Sequence, residues 1–430
     1  MMNKRYFRSV EHLERAEKII PLGSQTFSKS RIQYPIGISP LYISNAKGSK
    51  VWDIDGNEYT DLVNSLASVT LGYGDKGVEK AVKNQLKKGV NFSLPGILEA
   101  EVAELIVSMV PSAEMVRFGK NGTDATSAAV RLSRAFTGKD HIAVCGYLGW
   151  QDWFIGSTTR NKGVPEAVSS LTHKFEYNSI ESLKSTLAKF PNQFAAVILE
   201  PMNIEWPRKN FLEEVKKETQ KAGAILIFDE TITGFRFNNG GAQTLFNVIP
   251  DLSTFGKGIA NGFPLSAVVG RRDIMMEMEE IFFSGTFGGE LLSLAAAKEV
   301  LTRYREEDIC GELQFNGLEI QKEVNQIIAE NNLQQVLALS GHPSWNFLSW
   351  SSTTENSDLE IKTFFMQEMF KIGILILGTH NISTAHDSKS RQKIIGSYAI
   401  VLKLIKKVLE NSSLKSRLEV LPIQPLFKVR

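Results

Sequence analysis

The sequence predicts an α/β protein: a large domain with a mostly parallel central sheet, plus a smaller α+β domain fed by both ends of the chain. Three observations carry this. Strand, loop and helix signals alternate repeatedly through the middle of the chain. Four runs there, "HIAVCGY", "FAAVILEP", "AGAILIFDE" and "PLSAVVG", are apolar without alternation, as strands covered on both faces are. The 430 residues also exceed what one core usually supports, so two lobes are expected.

In chain order, Val10, Leu13, Ala16 and Ile20 recur at helical spacing, which predicts an amphipathic first helix. "YISNAKGSKVWDIDGNEYTDLV" alternates apolar and polar residues around Asn-Ala-Lys-Gly and Asp-Gly turns, the signature of a small antiparallel meander. "EMVRFGKNGTDATSAAVRLSRAFTG" reads as a strand passing through glycines into a helix. That helix buries Ala125, Ala128, Ala129 and Leu132 and stops at Gly138. Past about residue 295 the chain becomes more helical and charged, with one expected strand, "IGILILG". The expected divisions are residues 1–47 (N-terminal helix and segment joining the small lobe), 48–295 (large domain) and 296–430 (C-terminal small domain).

Composition narrows the function. A formal net charge of +2 gives no reason to expect nucleic acid or a membrane surface as partner. The two cysteines, Cys145 and Cys310, cannot build a disulfide framework and suit a reducing compartment. The start of the chain lacks the pattern of a secretory signal, and no uncharged run reaches membrane-spanning length, so a cytoplasmic protein is expected.

Three constellations carry chemistry. "GKNGTDAT" (Gly119 to Thr126) joins a strand end to a helix start, where free backbone N–H groups and a partial positive charge suit a phosphate. A plain helix cap by Thr123 or Asp124 would look similar. "AILIFDETITGFRF" runs an uncharged apolar strand into Asp229 and Glu230, while the preceding strand ends in Glu200. The intervening helix makes the two strands parallel, so the acids share the edge where ligands bind in open α/β sheets. Acids so placed can hold a metal, act as general acid and base, or pair with a cation. The six scattered histidines and absent cysteine cluster disfavour the metal.

The third is "DLSTFGKGIANGFPLSAVVG", in which Lys257 stands between Gly256 and Gly258. A nucleophilic lysine must be neutral part of the time, and apolar surroundings disfavour the ammonium. Flanking glycines let backbone approach a flat ring. Lys257 therefore has the setting of an imine former. A phosphate cradle, a strand-end carboxylate and such a lysine are together what pyridoxal 5'-phosphate (PLP) requires of a protein.

On these stretches, with "LERAEKIIPLGS", "GSKVWDIDGNEYTDLV", "VILEP" and "SGTFGG" in the same order, the chain resembles the class III PLP-dependent aminotransferases, most nearly the glutamate-1-semialdehyde 2,1-aminomutase branch. The resemblance implies the fold type I architecture of PLP-dependent transferases and a homodimer with shared active sites. It implies Lys257 as the aldimine-forming lysine and Asp229 as the partner of the ring nitrogen. Asn121, Gly122 and Thr123 would hold the phosphate, and Tyr147 and Thr231 would lie on opposite faces of the ring. Thr286 would reach the phosphate of the neighbouring subunit.

The chain departs from that pattern in places. Leu148 follows the stacking tyrosine where histidine is common, and "GGE" (Gly288 to Glu290) replaces Ser-Gly-Asn. Asn203 stands near a missing Gly-Asn. In "LGSQTFSKSRIQYP" the arginine that meets the substrate carboxylate in true mutases is replaced near Lys29, with Arg31 two residues on. The expected activity is therefore ordinary transamination between a small-molecule amino donor and an aldehyde, ketone or sugar-linked carbonyl acceptor. The alternative is glutamate-1-semialdehyde 2,1-aminomutase. A nucleotide-binding protein and a catalytically retired binding module are the rivals outside enzymology. Trp150, Trp153, Phe154, Trp345 and Trp350 are either walls for a bulky acceptor or core. His342, His380 and His386 are expected to be solvated or satisfied in the core.

Overall fold

The computed structural model describes residues 4–424, so residues 1–3 and 425–430 of the two expected end segments lie outside the described residues. The chain divides into two compact units, one of residues 4–66, 71–74 and 312–424 and one of residues 67–70 and 75–311.

The first unit begins with the helix Phe7–Glu17, which buries Ser9, Leu13 and Ala16 while Val10 is half-buried. The strands β1 (Ile43–Lys47), β2 (Lys50–Asp53) and β3 (Glu58–Asp61) form the antiparallel meander the turns predict. Gly48 turns the first hairpin at φ 59°, a region glycine enters without strain.

The second unit carries β4 (Met115–Gly119), β5 (His141–Cys145), β6 (Thr172–Lys174), β7 (Phe194–Leu199), β8 (Ile225–Asp229), β9 (Leu252–Phe255) and β10 (Ser266–Gly270). They make one seven-stranded sheet in the order β4-β10-β9-β8-β7-β5-β6. Four neighbouring pairs are parallel, and β10 alone is antiparallel to both its neighbours. "PLSAVVG" is thus the exception among the four runs. Its apolar pattern reports cover on both faces, which is blind to strand direction.

The burial explains the patterning. Ile142, Val144, Ile225 and Ile227 pack with Ala125, Ala128, Ala129 and Leu132 of the helix Gly122–Thr137. Ala143, Cys145, Leu226 and Phe228 turn the other way, onto Leu183, Phe211, Leu212 and Val215 of the opposite layer. Successive residues serve opposite faces, and both faces are dry. β9 escapes the apolar pattern because Ser253 and Thr254 are wholly buried yet hydrogen-bonded, Ser253 Oγ to Ser112 Oγ at 3.0 Å.

Residues 312–424 are richer in strands than the sequence implies. β11 (Leu337–His342) and β12 (Trp345–Trp350) form a hairpin, extended by β14 (Thr379–Asn381). β13 (Ile374–Leu375), the core of "IGILILG", pairs parallel to β3. Ser, Gly, Asn and His in the hairpin break up the apolar run that would have announced it. Trp345 is 4% exposed and belongs to the core. His342, His380 and His386 are all buried, each hydrogen-bonded to a serine or tyrosine hydroxyl. None of the described helices is long and apolar enough to cross a membrane.

Gly138 ends the helix Gly122–Thr137 at φ 64°, donating its N–H to Arg134 O at 2.9 Å, and a Cβ there would meet open space. Only backbone conformation therefore opposes a side chain. Gly138→Ala should lower unfolding stability by about 1 kcal/mol, read as a shift of the urea midpoint.

Candidate functional site

Asn121, Gly122, Thr123, Tyr147, Asp229, Thr231, Lys257 and Thr286 all lie in the second unit. The helix Gly122–Thr137 leaves its first N–H groups without intrahelical acceptors, and these include those of Gly122 and Thr123. Asn121 is its N-cap residue, and Asp124 completes a capping box from the third helical position. Its Oδ2 accepts from the N–H of Asn121 (2.8 Å) and also of Lys120 (3.0 Å). The turn is tied down by its own carboxylate while the helix donors stay available to a ligand.

Asp229 ends β8, 6% exposed. Its Oδ1 accepts from Thr231 N–H at 3.0 Å and from Thr254 Oγ1 at 2.9 Å. Burial pushes its carboxyl up to about 6, and the charge on Glu200 pushes the same way against the hydrogen bonds from Thr231 and Thr254. Glu230, the next residue, is fully buried but saturated with donors: Thr233 Oγ1, the N–H of Ala242 and Gln243, and Gln243 Nε2. The two acids of the motif have separate jobs. Glu230 is an anchor, and Asp229 is a carboxylate short of a cation.

Lys257 follows β9, which runs parallel to β8 with Thr254 opposite Asp229. It is half-buried, and its backbone sits at φ 42°, rare for a residue with a side chain and a mark of functional constraint. A Cβ on Gly258 would come within 2.9 Å of the Thr70 methyl, and one on Gly256 within 3.2 Å of the Thr231 methyl. The same Thr231 methyl lies 2.9 Å from where a Cβ on Gly122 would stand. Gly122, Thr231 and Gly256 thus meet at one sheet edge, joining the helix start, the buried carboxylate and the lysine loop. These residues fit PLP: bare backbone donors for a phosphate, a buried acid for a cationic ring, and glycine surfaces where a flat ring can approach.

Tyr147 follows β5 and is 44% exposed; burial first, then the charge on Asp229, raises its phenol pKa. Its N–H donates to Glu200 Oε2 at 3.0 Å, and Asn203 Nδ2 reaches the same oxygen at 3.3 Å. Thr286 is exposed, in a cleft of about 390 Å³ shared with Lys120, Asp124 and Arg131.

The departures have structural duties. Leu148 is 1% exposed in the core, and its carbonyl accepts from Thr126 Oγ1 at 2.8 Å. Glu290 caps the helix Leu291–Glu306 through Leu292 N–H (2.6 Å) and Ser293 N–H (3.2 Å), and pairs with Lys120 at 3.1 Å. Trp153 and Phe154 are buried, Trp153 donating to Ser127 Oγ at 2.9 Å, while Trp150 is exposed. Thr254 is the contributor that sequence reasoning missed. Its signal was a threonine inside a buried strand, directly across from the strand-end acid.

The family described as aminotransferase class-III matches residues 35–386. A glutamate-1-semialdehyde 2,1-aminomutase of Aquifex aeolicus is 32% identical over 417 residues, covering 90% of this chain and 96% of that protein. A 3-aminobutyryl-CoA aminotransferase of Cloacimonas acidaminovorans is 30% identical, covering 87% of this chain and 91% of that protein. Among solved structures, the FumI protein of Sphingopyxis sp. MTA144, in its PLP internal aldimine form, superposes with a TM-score of 0.87 at 26% identity, covering 94% of this chain and 98% of that one.

The raised carboxyl of Asp229 gives a pH test on cofactor-free protein. The native state holds this proton up to about pH 6 and the unfolded chain only to about 3.9. The stability it contributes is complete below pH 4 and is lost as pH rises through 6. Between those limits the urea midpoint of the wild type should fall relative to Asp229→Asn, by a few kcal/mol in stability. Parallel curves for the two proteins would contradict the assignment.

Proposed function

The chain belongs to the class III aminotransferase family, enzymes that work with PLP, and from that premise we propose an amino-group transfer centred on Lys257. The meeting of Gly122, Thr231 and Gly256 beside Asp229 carries this reading, since it brings every protein-side need of the cofactor to one edge. When bound, the cofactor supplies an aldehyde for capture and a cationic ring that withdraws electrons.

The chain's own residues do the rest. The N–H groups of Gly122 and Thr123, with the Asn121 side chain beside them, would receive the phosphate. Asp229, ionised, would balance the ring nitrogen, and Tyr147 and Thr231 would confine the ring. Lys257 would hold the cofactor at its aldehyde carbon, and as a free amine it would take and return the proton at the substrate carbon, a general-base role worth typically ~10²–10⁴-fold. Glu200 and Asn203 orient Tyr147 through its backbone.

The sequence alone leans toward transamination with a separate carbonyl acceptor. The Aquifex aeolicus relative shifts the weight to an aminomutase, in which the nitrogen moves between carbons 2 and 1 of glutamate 1-semialdehyde. Transamination stays as the second reading, supported by Lys29 in place of the mutase arginine and by the relative that is a CoA-ester aminotransferase.

We further assign the cofactor domain to the second unit, residues 67–70 and 75–311, instead of the expected 48–295, because β2 and β3 belong to the first unit, and the enzyme to the cytoplasm. The assembly we propose is a homodimer. Leu94 (79% exposed), Ile97 (80%), Phe282 (81%) and Phe287 (61%) are large apolar side chains left in the open, and Asn91 Nδ2 donates to Thr286 O at 3.2 Å, joining their two loops. Such a patch needs a partner. Covered by a second copy, it would bring Thr286 of the partner subunit to the phosphate.

Borohydride reduction of cofactor-loaded protein should place the label on the peptide containing Lys257 and on none in Lys257→Ala; a label on another lysine overturns the assignment. Glutamate 1-semialdehyde should then yield the isomer with nitrogen on carbon 1, without a second substrate. If nitrogen appears only on an added ketone or aldehyde, the transaminase reading replaces the mutase. For the assembly, sedimentation should report a dimer for the wild type and a monomer for Phe282→Glu; a monomeric wild type would sink it.

A further inference from the structure

We propose that Thr254 is a positioning residue: its buried hydroxyl holds Asp229 in the charged form, and in the orientation, that a cationic ring requires. The proposal rests on the reading of Asp229 as the partner of the ring nitrogen and adds the group that prepares it.

Thr254 is wholly buried in β9, directly opposite Asp229 on β8 and Val268 on β10. Its carbonyl accepts from Glu230 N–H at 2.9 Å, so the main chain is held by both neighbouring strands before the side chain acts. A β-branched side chain on such a backbone has little rotamer freedom. Its Oγ1 donates to Asp229 Oδ1 at 2.9 Å, and Thr231 N–H meets the same oxygen at 3.0 Å. Both bonds end on Oδ1, which leaves Oδ2 for the proton of a ring nitrogen.

The preceding residue works elsewhere, because successive side chains of a strand face opposite ways. Ser253 Oγ meets Ser112 Oγ at 3.0 Å and accepts from Gln243 Nε2 at 3.1 Å, and that same amide reaches Glu230 Oε1 at 3.3 Å. Two adjacent hydroxyls thus serve two adjacent acids, Thr254 directly and Ser253 through Gln243. A donor on a carboxylate oxygen favours the ionised form. At Asp229 it works against burial, the larger cause, and the charge on Glu200, which together bring the carboxyl up to about 6. One hydrogen bond then decides how much of the acid is charged near neutrality.

Pyridoxamine 5'-phosphate tests this, since it carries the ring nitrogen and the phosphate but cannot bond to Lys257. Its dissociation constant is read by calorimetry on the full chain freed of cofactor. Each variant is divided by the wild type at the same pH, which cancels the ligand's own titrations. Thr254→Val, equal in shape but without the donor, should bind roughly fivefold more weakly at about pH 6 and as the wild type at about pH 8.5, where the carboxyl is ionised in both. Thr254→Ser, which keeps the donor, should follow the wild type throughout. Asp229→Asn should bind weakly at both pH values; if it binds as the wild type does, the reading of Asp229 itself fails. With Asp229→Asn weak, three results would each overturn the role of Thr254: Thr254→Val equal to the wild type at the lower pH, Thr254→Val weakened alike at both, or the same loss in Thr254→Ser.

Discussion

A carboxylate taken out of water at the end of a strand is costly unless something positive meets it, and Asp229 is such a carboxylate. Thr231 N–H and Thr254 Oγ1 hold one of its oxygens in place. The second of these bonds crosses from β8 to β9, so the acid and the loop carrying Lys257 are registered against each other through one side chain. The close approach of Gly122 and Gly256 to the Thr231 methyl then fixes the helix start to the same frame. Charge complementarity and distance are set together.

Glu230 shows how differently adjacent acids are treated. Both are buried, and burial raises the pKa of both. Glu230 receives donors on both oxygens and stitches the segment at Ala242 and Gln243 beneath the sheet edge. Saturated in this way, it has nothing left to offer a ligand. The alternation of a strand end thus assigns one acid to architecture and its neighbour to chemistry.

Much of this was legible in the sequence where a pattern reports burial. The runs around β5, β7 and β8 announce two covered faces, and Gly256-Lys257-Gly258 announces a side chain that needs bare backbone around it. The direction of β10 was not legible, because an apolar strand reads alike in either sense. β9 and the β11–β12 hairpin were obscured by buried polar residues whose partners lie far along the chain, such as Ser253 with Ser112. The roles of Leu148 and Glu290 were hidden for the same reason: a core leucine and a helix cap are recognisable only once the neighbours are in place.

The ion pair between Lys120 and Glu290 has a consequence for the turn beside it. Lys120 is the cation nearest in sequence to Gly122 and Thr123, and its charge is already balanced by a residue that also caps a long helix. Attraction there falls to uncharged peptide dipoles, which act at contact range. Recognition of a dianion at that turn should therefore depend less on ionic strength than it would with an unpaired lysine in the place of Lys120.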